Sequence, residues 1–275
     1  MIVKYINNND IINEYRKSGF IGVSKMLDIS IFKLKSIIHE NNIVLPNKDR
    51  RVDIDNFNNI NKKEVAYFLG FFWSDGYISK DEITITIKKD DGDVILNILN
   101  LFGKWRSNDR IKRLNGKEFK QKCIRVNDRK IKEFLVDNDF LSKSLSTPTK
   151  ILSKIPDDIK SYFFRGLIDG DGCFCSKNRS YFSITGNIYQ DWLEIEELFK
   201  FLDINYSLTR KERSTGNSSY LIISSRSDII KLGKYIYSDK YDDIGLSRKY
   251  RVYKEIESKK NIVNIKKEYN RYIKL

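Results

Sequence analysis

The sequence predicts an α+β protein built from two pseudo-symmetric αββαββα halves behind a small N-terminal helical unit. Three observations predict it. The segment at 65–78, Val-Ala-Tyr-Phe-Leu-Gly-Phe-Phe-Trp-Ser-Asp-Gly-Tyr-Ile, returns at 161–174 as Ser-Tyr-Phe-Phe-Arg-Gly-Leu-Ile-Asp-Gly-Asp-Gly-Cys-Phe. Each copy is followed by the alternation of a half-buried strand: Ile83, Ile85 and Ile87 against Thr84, Thr86 and Lys88, then Phe182 and Ile184 against Ser183 and Thr185. The same order of helical and strand patterns then repeats. The repeat is too long for a solenoid, so two copies imply a pseudo-dimer within one chain.

The opening unit, 1–45, reads as three short helices. Ile11, Ile12 and Tyr15 lie at helical spacing over 10–18, and Gly19 is expected to stop that helix. A second short helix follows over 22–28, with a turn at Ile29. Ser30 caps a third, with Leu34, Ile37 and Ile38 on one face and Lys33 and Lys35 on another. Such a unit resembles a helix-turn-helix whose last helix reads a DNA major groove; a plain helical cap is the simpler reading. Residues 46–62, with Pro46, Lys48, Arg50 and Arg51, read as a basic linker. The first half is assigned to 63–155, the second to 156–257, and 258–275 to a basic C-terminal helix or tail. Within the halves, helices are expected over 94–102 and 192–201, strand pairs at 110–113 with 120–126 and at 207–213 with 220–224, and closing helices near 130–135 and 228–235.

Composition narrows the chemistry. A net charge of +14 on 275 residues with 40% hydrophobic content describes a folded chain suited to a polyanion, with nucleic acid the leading partner. His39 is the only histidine, which removes Ser-His-Asp hydrolysis, histidine-bound zinc and any histidine base. Cys123, Cys173 and Cys175 are odd in number and form no CxxC pair, so they are expected as reduced thiols. No apolar run is long enough to span a bilayer, and the expected location is the cytoplasm, or wherever the DNA of a host element resides.

The duplicated helix is apolar all round, carries one glycine at its middle and ends in Asp-Gly. Burial on every side follows, and Gly70 and Gly166 let another backbone approach, which makes them the expected helix interface. If the two copies pack on each other, Asp75 and Asp171 lie side by side at the negative ends of two helix dipoles. A cation must offset them, and hard oxygen donors without histidine or thiolate select Mg²⁺, with Mn²⁺ a plausible substitute.

At Phe68-Leu-Gly-Phe-Phe-Trp-Ser-Asp-Gly76 and Phe164-Arg-Gly-Leu-Ile-Asp-Gly-Asp-Gly172 the chain resembles the LAGLIDADG homing endonucleases in their single-chain, two-motif form. The resemblance covers about 63–257. It implies that the motif helices form the interface, that Asp75 and Asp171 bind the metal with help from the carbonyls of Ser74 and Gly170, and that two antiparallel sheets form a saddle over DNA. It implies a monomer acting as a pseudo-dimer on double-stranded DNA. One position departs: the second copy has Asp169 where the first has Trp73. The resemblance also implies a basic residue entering the active site after the last helix of each half, Lys143 and Lys249, with Arg248 the competitor for the latter.

The expected reaction is Mg-dependent hydrolysis of both strands of a long site by an intron-encoded or free-standing enzyme, leaving short 3′ overhangs. The pool of DNA-binding residues is Lys33, Lys35, Lys88, Arg110, Lys112, Arg113, Lys120, Lys122, Arg125, Thr209, Lys211, Arg213 and Arg226. An RNA maturase or a DNA-binding regulator on the same fold are the alternatives. A regulator of degenerate sequence would have lost its acids, and both are present; RNA binding would mark the maturase.

Overall fold

The computed structural model describes residues 7–43, 57–80, 82–177, 179–212, 216–238 and 244–259. They fall into two compact units, Met1–Arg51 and Val52–Leu275. Most of the expected linker, 46–56, and the tail from 260 onward lie outside the described residues.

The described residues of the first unit form a pair of helices, α1 (Asn8–Leu27) and α2 (Ile31–Glu40). Asn7 caps α1, and Ser30 caps α2 by accepting from the Lys33 amide at 3.2 Å. The expected break at Gly19 does not occur. An interior glycine costs a helix only about 1 kcal/mol relative to alanine. The apolar stripe continues on both sides of it, with Ile11, Tyr15 and Val23 packing with Leu34 and Ile43 in one small core. The helix ends instead at Asp28, which adopts the left-handed conformation with φ 50°. Among the described residues the unit therefore has two helices where three were expected, and Lys33 and Lys35 are exposed on the second.

The second unit repeats αββαββα as expected. The first half comprises α3 (Lys63–Asp75), β1 (Gly76–Ile78), β2 (Ile83–Lys88), α4 (Lys89–Leu99), β3 (Arg106–Leu114), β4 (Lys117–Val126) and α5 (Arg129–Asp137). After the short α6 (Thr149–Leu152), the second half comprises α7 (Lys160–Asp171), β5 (Gly172–Cys175), β6 (Tyr181–Asn187), α8 (Leu193–Phe201), β7 (Ser207–Lys211), β8 (Ser218–Ile223) and α9 (Arg226–Tyr237), with α10 (Ser247–Ser258) after it. Each half holds a four-stranded antiparallel sheet, ordered β1-β2-β4-β3 and β5-β6-β8-β7. Even the register repeats, with Gly76 opposite Ile85 in one sheet and Gly172 opposite Ile184 in the other.

One face of each sheet is apolar. Ile83, Ile85, Ile124 and Val126 in the first sheet and Phe182, Ile184, Leu221 and Ile223 in the second join the motif helices in a single core. Phe57 belongs to that core, with its ring 5.6 Å from Phe68 and 5.7 Å from Phe134, so the last residues of the expected linker are part of the globular unit. The β3–β4 hairpin turns on Asn115 and Gly116, both at positive φ, as a two-residue hairpin loop requires.

At the centre, α3 crosses α7. A Cβ on Gly70 would stand 1.8 Å from the Phe163 carbonyl oxygen, and one on Gly166 would stand 2.0 Å from that of Tyr67. The helices thus meet backbone to backbone at both glycines. Among the described residues, no helix is long and apolar enough to cross a membrane.

Candidate active site

Because the helices touch along their lengths, their C-terminal acids converge. Ser74 donates to the Leu167 carbonyl at 2.9 Å, and a Cβ on Gly170 would lie 3.3 Å from Oδ2 of Asp75. Burial pushes the Asp75 carboxyl above its ordinary range, with Lys249 and Lys143 pulling against it. Asp171 is raised to about 6, by burial first and then by repulsion from Asp75, again opposed by the two lysines. Its side chain keeps solvent on one side, so the shift reflects crowding by protein and by a second acid rather than full enclosure.

Each half sends a lysine to the C-terminus of its own motif helix. Lys143 Nζ donates to the carbonyls of Trp73 at 2.7 Å and Ser74 at 2.5 Å. Lys249 Nζ is 2.9 Å from the Ile168 carbonyl, 2.5 Å from Asp169, 3.2 Å from Gly170 and 2.6 Å from Gly172. The carbonyls are those left over at a helix end, and a cation there also answers the dipole. The two lysines differ in supply. Lys249 is 6% exposed and spreads three N–H groups over four acceptors, whereas Lys143 is partly open and its carbonyl bonds use two of three. Burial lowers Lys143 to about 8, with Asp171 and Asp75 opposing, and lowers Lys249 as well. Arg248 faces elsewhere, forming a two-pronged pair with Asp91 at 2.6–3.0 Å.

The sixth motif position is supported differently in the two copies. Asp169 is buried and accepts from Tyr67 at 2.9 Å, Tyr237 at 3.2 Å and the Leu246 amide at 2.7 Å, so it pins the segment that carries Lys249. Trp73 instead packs edge-on against Phe140, ring centres 5.0 Å apart, just before Lys143.

Beside Asp171 and Lys143 opens a cavity of about 360 Å³, lined also by Trp73, Thr185, Asn187 and Gln190. The donors around the acids are all oxygen: two carboxylates and main-chain carbonyls. Among the described residues no cluster of three His, Cys, Asp or Glu side chains stands ready for a metal. That set suits Mg²⁺ or Mn²⁺, which accept one or two carboxylates and keep their water, and does not suit zinc. The three cysteines are free thiols.

Strand register sorts the basic residues, since directly paired residues share a face. In the first sheet Lys88, Arg110, Lys112 and Arg125 project from the face opposite the core, joined by Arg106 and Lys117, which sequence reasoning missed. Lys122 does not. It pairs with Ile87 on the core side, lies over Gly92 of α4, and bonds Asp109 at 2.7 Å and Asp93 at 3.0 Å. Arg113 and Lys120 share its parity, and Arg113 is paired with Glu118 at 2.9 Å. In the second sheet Thr209 and Lys211 lie on the open face with Tyr220. Arg226 is turned to the end of α10, where it bonds the carbonyls of Ile256 and Glu257, both at 2.8 Å. Arg213 lies outside the described residues.

No curated protein sequence matches the chain. Among solved structures, full-length DUF199/WhiA from Thermatoga maritima is 12% identical with TM-score 0.44, covering 81% of this chain and 72% of its own. The I-LtrWI LAGLIDADG homing endonuclease bound to target DNA is 14% identical with TM-score 0.44, covering 72% and 89%. Meganuclease I-SmaMI bound to uncleavable DNA is 16% identical with TM-score 0.42, covering 74% and 92%. Residues 158–237 match the LAGLIDADG-like domain family. The match falls within the second half, which is thus similar to a LAGLIDADG-like domain over 158–237, and the first half repeats the αββαββα order and the sheet register of the second.

Proposed function

We propose that this protein is a site-specific endonuclease that hydrolyses both strands of duplex DNA with the help of a divalent cation. The observation that carries this reading is the meeting of Asp75 and Asp171 at the ends of two touching helices, each end answered by a lysine. Asp75 and Asp171 would hold the cation, with the second lone pairs of the Ser74 and Gly170 carbonyls as further oxygen donors. When bound, the ion supplies a polarised phosphoryl oxygen and a more acidic water.

The chain's own residues do the rest. Lys143, with an N–H to spare beside the cavity, is placed to donate to a phosphate oxygen as charge develops there. Lys249, saturated by carbonyls, acts by its charge and by fixing the end of α7. Asp169, buried at the same helix end, holds the segment that carries Lys249 through Leu246. The open faces of the two sheets supply phosphate and base contacts, and the single chain does the work of a dimer.

A randomised duplex library incubated with protein and Mg²⁺, followed by sequencing of cut ends, tests the proposal. Recovery of one long site, cut by the native chain and not by Asp75→Asn plus Asp171→Asn, is expected. Equal cutting by the double variant overturns it.

A further inference from the structure

We infer that each catalytic lysine is positioned by the opposite half of the chain, through Asp91 and Gln190. The inference rests on the proposed function for its catalytic meaning and on geometry for everything else.

Ile85 and Ile184 occupy the same place in the two sheets, each opposite the glycine that follows its motif acid. Six residues further along the chain stand Asp91 and Gln190. Both side chains are buried, at 6% and 9% exposure, although both are polar. Each reaches out of its own half. Asp91 takes both prongs of Arg248, the residue next to Lys249. Gln190 donates its side-chain amide to the carbonyl of Lys143 at 3.1 Å and to that of Ser146 at 2.6 Å. The neighbouring Glu194 amide adds a bond to Thr147 at 3.2 Å on the same loop. The positions are equivalent, the direction of reach is equivalent, and the object held is in each case the segment that delivers a lysine.

The chemistry of the two clasps is not equivalent. One is a charged, two-pronged ion pair and the other a neutral amide on backbone carbonyls. Buried polar groups of this kind are retained only with partners, and removing one partner strands the other. Loss of either clasp therefore loosens one lysine segment and leaves its counterpart in place. A tether that crosses between halves also means that neither centre is complete within its own repeat. Asp91 and Gln190 are positioning residues, acting through Lys249 and Lys143.

The test uses the full chain with Asp91→Asn, Gln190→Leu and Arg248→Gln. Hydrogen exchange is measured without DNA or metal. Asp91→Asn should raise exchange across 246–250 about tenfold and leave 142–147 unchanged, and Arg248→Gln, which opens the same pair from its solvent side, should give the same pattern. Gln190→Leu should do the reverse. On a duplex labelled on both strands and carrying the site recovered from the library, Asp91→Asn and Gln190→Leu should slow opposite strands, each accumulating a nicked intermediate. Equal slowing of both strands, or exchange that rises in both segments or in neither, overturns the clasps. If the native chain cuts no duplex while the exchange patterns separate as stated, the nuclease reading fails and the clasps stand.

Discussion

Gly70 sits against Phe163 so closely that a methyl group in place of its hydrogen would fall 1.8 Å from the Phe163 carbonyl oxygen. Gly166 stands in the same relation to Tyr67. Neither contact can be relieved by a side-chain rotation, because the obstacle is backbone. Gly70→Ala or Gly166→Ala must spread the helices and is expected to cost about 3 kcal/mol or more, toward the upper end of overpacking effects. At this chain length that corresponds to a Tm lower by roughly 10 °C. An unchanged Tm would mean that the helices do not touch as described.

Lys143 and Lys249 should separate in kinetics. Lys143→Met is expected to slow single-turnover cleavage by about a hundredfold or more with little loss of DNA affinity, as for a group that acts on the transition state. Lys249→Met removes the partner of four carbonyls and should lower the Tm as well as the rate. Equal losses of rate and affinity at Lys143 would make it an ordinary phosphate contact.

The acid and lysine shifts set opposite pH slopes. Asp171 is raised from 3.8 to about 6, so between those values the folded protein binds more protons than the unfolded chain, and stability falls as pH rises through that window. Lys143 is lowered from 10.5 to about 8, so between about 8 and 10.5 the unfolded chain binds more, and stability rises with pH. Cleavage at the centre using Lys143 needs the acid ionised and the amine charged, which gives a rate maximum between about 6 and 8. More Mg²⁺ should move the acid limb to lower pH, since ion and proton compete for the carboxylates. An acid limb indifferent to Mg²⁺ concentration would remove Asp171 from the metal site.

The open faces of the two sheets differ in charge. Lys88, Arg106, Arg110, Lys112, Lys117 and Arg125 crowd the first, whereas Lys211 is the basic residue that the described strands place on the second. Arg110→Ala with Lys112→Ala should reduce the slope of log affinity against log salt by about two, from about 0.9 per phosphate contact. Tyr220→Phe and Thr209→Ala should leave that slope alone and alter which bases are preferred on one side of the site. A salt slope that responds equally to both sets would contradict the asymmetry.

The closeness of Asp75 and Asp171 also fixes the expected break. On the proposed nuclease reading, centres so near each other would reach phosphates across the minor groove, about 6 Å wide against about 12 Å for the major groove, and those phosphates are offset toward the 3′ side of each strand. Mapping both strand ends should show short 3′ overhangs. Blunt ends or 5′ overhangs would be incompatible with the packed helices.

Much of this was legible in the sequence because duplication writes a pattern twice. The motif helices, their glycines and their acids could be read from two aligned segments and the physics of a buried helix. Strand β3 was harder. All nine of its residues are exposed, so hydrophobic alternation carries no signal there, and the start at Arg106 was missed. The usable signal was the turn, Asn115-Gly116, which demands a hairpin around it. Lys122 was misplaced for a related reason: in a strand, one position of register decides the face, and composition does not reveal register. Asp91 and Gln190 escaped notice because their equivalence lies in strand pairing rather than in residue type. The long α1 shows the limit of punctuation, since a stripe of packed side chains outweighs one glycine.

The bond from Tyr67 to Asp169 has no counterpart. The residues related to them by the repeat are Phe163 and Trp73, which are apolar, so the crossing of α3 and α7 is polar on one side and oily on the other. Two copies of the first half brought together would set a phenol against an indole and take away the carboxylate it donates to. Two copies of the second would set Asp169 against a phenylalanine, one donor short though still bonded to Tyr237 and the Leu246 amide. The mixed pairing alone forms the Tyr67–Asp169 bond. The repeats have become unlike, a lock and its key descended from one part, and halves expressed as separate chains should associate with each other in preference to themselves when their sizes are measured alone and mixed.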